Sequence, residues 1–191
     1  MDYYFWRTKF TDGYCVLVRP TLDRAWELDE GRSRLDEFPD DFVCHMHPDY
    51  PRDIQLSDNL FGSTLPVISE RTRQVLSETS SNSLEFLPTR IANHKGRMEL
   101  EPYFFLHPLD VCHCLDLEKS QVEWNEIDPS VIVSMEQCVF DADRIPEDFT
   151  LFRLGGMGHN IVVREDLVQA LHAANLTGLA FRDTKSYKGI G

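Results

Sequence analysis

The segment Thr150–Asp183 constrains the fold more than any other stretch, because all of its local signals agree. Its apolar start ends at Gly155-Gly156, a pair that permits positive φ and therefore a turn. A β-branched run, Ile161–Val163, is followed by two acidic residues of the kind that favour the first turn of a helix. Apolar residues then recur at helical spacing, and a short apolar run closes the segment. We therefore predict the order strand, turn, strand, helix, strand, with the helix near Glu165–Asn175.

A second segment upstream follows the same pattern. Displacing the chain by 95 positions aligns Val67–Phe86 with Val162–Phe181 without a gap, and six of the twenty pairs are identical. Two explanations remain open: an internal duplication, or the features that any strand–helix–strand unit shares. Both predict a second helix near Ser69–Thr79, with Ser69 as its N-cap.

The N-terminal third is less regular. Tyr3–Phe10 and Tyr14–Arg19 flank a Thr-Asp-Gly turn signal, which predicts a hairpin. The stretch Pro20–Pro66 is rich in proline and acidic residues but contains too many apolar side chains for a disordered tail. It is interpreted as loop-rich structure over the core, with one short helix.

The remaining segments decide the fold class. Leu84–Ile91 and Pro102–Leu106 predict a second hairpin, and alternating runs over residues 111–117 and 131–140 predict further strands. Strands and helices follow one another in mixed order, which favours α+β over a doubly wound sheet. The expected fold is a mixed, mostly antiparallel sheet with two or three helices and a single core.

The length of 191 residues suits a single domain, residues 1–191. An alternative division is an N-terminal lobe, residues 1–64, made of the hairpin and the irregular acidic segment, beside a core of residues 65–191. No low-complexity tract or long linker indicates independent domains.

The charge balance argues against some partners. The chain carries 32 acidic and 19 basic residues, a net charge of −13. Binding to nucleic acid needs a basic footprint, so no direct nucleic-acid partner is expected. The same charge is compatible with attraction to a basic protein, or with solubility alone.

The lack of targeting signals in the sequence favours the cytoplasm. The chain has no apolar run long enough to span a membrane, so no membrane partner is expected. Its first ten residues lack the basic start and apolar core of a secretion signal. Five cysteines, an odd number, favour a reducing compartment over a disulfide framework.

Two short clusters raise the question of a metal. In a strand, Cys112 and Cys114 would share one face while His113 lies on the other. His45 and His47 could add two imidazoles and complete a Cys2His2 set for zinc. Structural zinc sites, however, space their cysteines by two to four residues on turns, and a half-buried strand with apolar cysteines explains the same pattern. We therefore expect neither a metal nor another cofactor.

No catalytic motif is present in the sequence. The run Gly155–Gly158 lacks the pattern of a phosphate-binding loop and is interpreted as a flexible turn. No GxSxG nucleophile elbow occurs, and no local signature of a cysteine enzyme surrounds any of the five cysteines. We therefore predict no catalytic residues.

Several pieces of the chain occur in the order typical of one family: PVISERTRQVL, LEFLPTRI, PYFFLHPLDVCHCLDLEKS, LFRL and NIVVREDLVQALHAANLTGLAFRD. Over residues 65–183 the chain resembles bacterial immunity proteins of polymorphic toxin systems, a family first catalogued as a domain of unknown function. The most specific pieces are Ser69-Glu70, the turn at residues 116–120, Phe152-Arg153 and the run at residues 176–179.

The resemblance implies a cytoplasmic protein that binds and neutralises a cognate toxin without catalysis. The acids between Asp23 and Asp41, together with nearby aromatic residues, make this region the expected surface for a basic toxin. The residues expected to face the toxin are Trp26, Asp36, Glu37, Asp40, Asp41 and Phe42. A small Cys/His or metal-dependent hydrolase is the alternative function, and a structural or regulatory interaction module is a further one.

Overall fold

The computed structural model describes residues 1–187 and the backbone of residues 189–190. The α-helices are α1 (Ala25–Asp29), α2 (Glu70–Thr79), α3 (Leu117–Ser120) and α4 (Glu165–Ala173). The strands are β1 (Tyr3–Thr8), β2 (Val43–His45), β3 (Asn59–Leu60), β4 (Val67–Ser69), β5 (Leu84–Ala92), β6 (Tyr103–Pro108), β7 (Val111–Cys112), β8 (Val122–Trp124), β9 (Ile132–Met135), β10 (Leu151–Leu154), β11 (Met157–Arg164), β12 (Leu179–Asp183) and β13 (Gly189–Ile190).

The two longer helices confirm the prediction from periodicity. Helix α2 begins after Ser69, whose hydroxyl accepts a hydrogen bond from the backbone N–H of Thr72, as an N-cap does. Helix α4 begins with two acidic residues, and the side chain of Asp166 accepts from the backbone N–H of Leu167. Leu76 of α2 and Leu171 of α4 are completely buried, so the apolar stripe of each helix faces the core.

The described strands form three sheets, where the sequence suggested one. One five-stranded sheet has the order β12-β1-β11-β10-β7, and the other has the order β2-β5-β6-β4-β3. A small sheet has the order β13-β9-β8. The described pairs of strands are antiparallel except β2 with β5 and β7 with β10, so the α+β class is confirmed.

The predicted N-terminal hairpin is wrong. The turn forms, with the N–H of Tyr14 donating to the carbonyl of Thr11, but β1 pairs with β11 and β12 instead of the following segment. Residues 14–17 make only isolated bridges to residues 46, 55 and 61. The reason is burial: Phe5 and Trp6 point to opposite faces of β1 and are 0% and 4% exposed. A two-stranded hairpin could not cover both faces.

The two strand–helix–strand units share one arrangement. In each, two parallel strands flank a third that is antiparallel to both: β6 lies between β4 and β5, and β1 lies between β11 and β12. Residues 95 positions apart also have equivalent partners: Val67 and Val162 lie opposite Phe105 and Phe5, and Phe86 and Phe181 lie opposite Leu106 and Trp6. An internal duplication predicts this shared register, whereas shared helix-start residues alone do not require it.

Hydrogen bonds cross between the two units in a reciprocal way. Asp58, which precedes β3, accepts from the backbone and hydroxyl of Thr177, which follows α4. Thr150, which precedes β10, donates in turn to the side chain of Asn82, which follows α2. Each unit therefore holds the helix-to-strand turn of the other.

Among the described residues, the buried apolar side chains form three clusters. One lies under β7, β9 and β10, and a second lies under β2, β5 and residues 15–28. The third, here called the interhelical cluster, joins the two units; its buried members are Trp6, Ile68, Leu76, Leu106, Leu151, Ile161, Val163, Leu167, Val168 and Leu171. Within the described residues, no helix is long and apolar enough to cross a membrane.

Candidate functional site

The acidic surface expected to face a toxin is largely open to solvent. Asp36, Asp40 and Asp41 are exposed and make no ion pair with any other described residue. Glu37 differs, because its carboxylate pairs with the guanidinium of Arg24 and lies 3.8 Å from that of Arg34. Three of the four predicted acids are therefore free to meet a partner, whereas Glu37 also holds its own loop to the start of α1.

The two predicted aromatic residues lie in different surroundings. Trp26 is 54% exposed, with the guanidinium of Arg32 5.1 Å from the centre of its ring. Phe42 is half-buried and packs edge-on against Phe105, 5.5 Å between ring centres. Trp26 can therefore anchor a partner as it stands, whereas Phe42 mainly supports the core.

Two neighbouring cavities open beside α1 and share Asp29 and His159. The first, of about 570 Å³, is here called the cationic cavity and is lined by residues that include Arg7, Arg19 and Asn160. The second, of about 560 Å³, is here called the Trp26 groove, and its polar lining includes Glu30, His113 and Asp128. The two cavities therefore adjoin each other at Asp29, the last residue of α1, and at His159 of β11.

Close packing of glycines brings α1 onto β11. A Cβ at Gly158 would lie 1.8 Å from the carbonyl oxygen of Asp29, so no other residue permits this approach. A Cβ at Gly155 would lie 2.4 Å from the ring of His113, and Gly156 has a φ of +82°. The turn predicted at Gly155-Gly156 is confirmed, but it lies packed between neighbouring segments.

A buried arginine supports the wall between the two cavities. Arg153 of β10 is 0% exposed; its Nε donates to the carbonyl of Pro108 and its Nη1 to that of Gly158. Its Nη2 lies 2.9 Å from Nδ1 of His107, and its Nη1 lies 3.7 Å from the carboxylate of Asp29. Burial lowers the pKa of Arg153 to about 10, still high enough to keep it charged at neutral pH.

The tautomer of His107 follows from its two partners. Because the arginine donates to Nδ1, the proton of the neutral ring is on Nε2, which lies 2.8 Å from the carbonyl oxygen of Arg32. Burial lowers the pKa of His107 to about 4, so the ring is neutral and can accept from Arg153. The chain Asp29–Arg153–His107–Arg32 thus ties α1 and the loop after it to both larger sheets.

Other groups of the cavities also have shifted pKa values. Burial raises the pKa of Asp29, and the nearby Arg153 partly opposes this effect. Burial lowers the pKa of Arg7 and of His159. Each of these groups is partly removed from water. Because water then screens their charges less, their interactions with a charged ligand are stronger.

Sequence reasoning missed most of these residues. Of the six residues expected to face a toxin, Trp26 alone belongs to the described lining of these two cavities. Arg153 and Asn160 lie in pieces that resemble the family, and neither they nor Arg7 and His159 were predicted as site residues. The available signal was a charged residue within a strand: Arg7 ends an aromatic run, and Arg153 interrupts an apolar one.

The cysteines and histidines do not form the Cys2His2 set. Cys112 and Cys114 are buried and His113 is exposed, which confirms their predicted alternation. His45 lies on β2, in the other five-stranded sheet. Among the residues that the structure describes, no three His, Cys, Asp or Glu side chains are grouped to hold a metal ion.

The thiols also lack the surroundings of a nucleophile. Burial raises the pKa of Cys15 and Cys138 to about 12 and that of Cys44 to about 11. A hydrogen bond between Cys112 and Cys114 lowers the pKa of the first thiol and raises that of the second. All five are buried, and no hydrogen bond in the described part of the chain joins a thiol to an imidazole. A reactive cysteine needs an accessible, activated thiolate instead.

Zinc content tests this description directly. We expect purified protein to contain clearly less than one zinc per chain, and its Tm to stay unchanged on addition of a chelator, because the candidate ligands lie apart. Elemental analysis and a melting curve with and without chelator provide the measurement. Stoichiometric zinc in the wild type that disappears when Cys112 and Cys114 are replaced would contradict this expectation.

Comparison with known proteins gives one family. A model of the immunity protein family Imm11 matches residues 10–186, which is nearly the whole chain and extends the resemblance of residues 65–183 in both directions. A search of curated proteins gave no match. The matched range includes α1 and the two strand–helix–strand units, and it leaves out β1, which carries Arg7. The chain therefore belongs to the Imm11 family of immunity proteins.

Proposed function

We propose that this protein binds a cognate toxin domain in the cytoplasm and neutralises it without catalysis. The observation that carries the proposal is the family match over residues 10–186. The buried thiols and the separated metal-ligand candidates agree with a binding protein, because neither arrangement provides chemistry for turnover.

We further propose that the toxin is basic where it meets this protein and that it docks on the exposed acids of residues 36–41 and on Trp26. Asp36, Asp40 and Asp41 offer three carboxylates without an ion pair to any described residue, in a protein with a net charge of −13. Complementary charge mainly accelerates association, whereas a large exposed aromatic ring such as Trp26 slows dissociation.

Stoichiometry tests binding against turnover. A toxin that this protein neutralises would be assayed with increasing amounts of purified immunity protein. A binding protein should abolish toxin activity at an equivalence point of one chain per toxin, or another fixed ratio, and the point should not move with incubation time. Complete neutralisation by a small substoichiometric amount, progressing with time, would establish catalysis and refute the proposal.

Charge reversal tests the surface. Replacing Asp36, Asp40 and Asp41 by lysine should slow association with the toxin by about tenfold or more at low salt and weaken its salt dependence. Glu37 is left unchanged because its pairs with Arg24 and Arg34 support the fold. Stopped-flow or surface-based kinetics at several salt concentrations provide the measurement.

A matched control variant has the same change in net charge at exposed acids outside the proposed surface. Glu78, Glu101 and Glu118 are exposed acids outside this surface, and their replacement by lysine should slow association much less. If both triple variants associate at the wild-type rate, or if both are slowed equally, the acidic surface is not the docking site.

A further inference from the structure

The cationic cavity has the size of a small-ligand site. Its volume of about 570 Å³ falls in the range in which proteins enclose small molecules. It lies between β1, the segment that leads into α1, the loop at residues 64–65, and β11. Its apolar lining includes Leu22, Leu28 and Leu65, and its polar lining includes Arg7 and Arg19.

The charge of this cavity is opposite to that of the protein as a whole. Two guanidinium groups face it in a chain whose acids outnumber its bases by 32 to 19. Within the described residues, neither Arg7 nor Arg19 has a carboxylate within 4.0 Å, although eight other arginines do. Asp29 is the carboxylate on the wall, and it lies 3.7 Å from Arg153. Two cations that share one cavity and have no carboxylate partner among the described residues indicate a place for an anion from outside.

Arg7 is held in a defined orientation. Its Nη1 donates to the carbonyl of Trp6 at 2.8 Å, and its Nη2 donates to Oδ1 of Asn160 at 2.7 Å. Asn160 is 1% exposed, and its amide nitrogen lies 2.9 Å from Nε2 of His159. The guanidinium also lies 5.1 Å from the centre of the Phe5 ring. These contacts use two of the five N–H donors of the guanidinium and orient the others in advance.

From this arrangement we propose that the cationic cavity binds an oxyanion, a phosphate or a carboxylate group. Arg7 supplies a preoriented, half-buried charge, and Arg19, on the exposed side, supplies a second one. Planar guanidinium groups match the geometry of carboxylate and phosphate oxygens. The leucines of the wall would receive an apolar part of the ligand. The proposal does not depend on the identity or charge of the toxin.

The anion can come from a small phosphorylated molecule or from a carboxylate of a partner protein, and two probes separate these sources. Inorganic phosphate and acetate would each be titrated into the full chain at constant ionic strength, with the Tm and calorimetric heat as readouts. We expect saturable binding with an increase in Tm. Tighter binding of phosphate assigns the cavity to a phosphorylated ligand, and equal or tighter binding of acetate assigns it to a carboxylate.

Three variants test whether the anion binds in the cationic cavity. Arg7→Gln and Arg19→Gln should each weaken binding of the preferred anion by about tenfold or more, as loss of a charge-assisted hydrogen bond does. Arg97→Gln, a change at an exposed arginine without an ion pair in the described residues, should bind as the wild type does. A general stabilisation by salt would raise the Tm of all three variants equally, whereas loss of binding would affect only Arg7→Gln and Arg19→Gln.

Arg19→Gln keeps the test decisive if Arg7→Gln fails to fold. Arg19 is exposed and makes no hydrogen bond or ion pair within the described chain, so its replacement leaves the fold intact. Absence of saturable binding of both anions to the wild type would overturn the proposal. Wild-type affinity in Arg19→Gln would overturn it as well.

Discussion

Replacing Arg153 by methionine is expected to lower the free energy of unfolding by about 3–5 kcal/mol. The side chain is 0% exposed and donates to two carbonyls and to the ring of His107. Methionine keeps much of the aliphatic volume but leaves these three buried acceptors without their donor, and each loss costs about 1–3 kcal/mol. Asp29 adds little to the loss, because its side chain is 48% exposed and water screens its charge.

Urea unfolding of Arg153→Met beside Arg97→Met provides the measurement. The exposed control should change stability by no more than about 0.5 kcal/mol, because it removes a surface charge and no buried contact. A similar small change in Arg153→Met would mean that the network through His107 does not hold the two sheets and α1 together.

Leu171→Ala is expected to cost about 2–5 kcal/mol, through lost burial and the cavity that remains in the interhelical cluster. Leu171 is completely buried, as predicted from the periodicity of α4. Leu76 holds the equivalent position of α2, is also completely buried and belongs to the same cluster. Leu76→Ala should therefore destabilise the protein by a similar amount, within about 1–2 kcal/mol of the first variant.

Thermal and urea unfolding of both variants and of Leu100→Ala test this expectation. Leu100 is 97% exposed, so the same change there removes almost no buried surface and should leave stability within about 0.5 kcal/mol of the wild type. A loss below about 1 kcal/mol in Leu171→Ala would show that the two units do not depend on their shared cluster.

Local patterns predicted much of the fold. Helices α2 and α4, the turn at Gly155-Gly156 and the hairpin of β5 and β6 all arise where neighbours in the sequence agree. In each case the signal is short-range: the spacing of apolar side chains, a capping hydroxyl or carboxylate, and glycine at a turn. These features were predictable because the groups that produce them lie within a few residues of one another.

The cavities were much harder to predict. Trp26 could be proposed because an aromatic residue among acids is visible in the sequence. Arg7 and His159 lie 152 positions apart and line one cavity because β1 is paired with β11. Arg153 could not be placed beside His107 from either local pattern. Sites made by such distant strands leave only indirect signals, such as a charge within an apolar strand.

By itself, the sequence determined helices α2 and α4, most strands, the α+β class and the acidic character of the chain, since these depend on composition and local periodicity. Only the tertiary structure decided the partners of β1. The Thr11-Asp12-Gly13 turn favours a local hairpin, but Phe5 and Trp6 need cover on both faces of the strand. Pairing with β11 and β12 supplies that cover, and the resulting gain in burial outweighs the entropy of closing a long loop, which grows only slowly with its length. That pairing also carries Arg7 to Asn160 and so creates the cationic cavity.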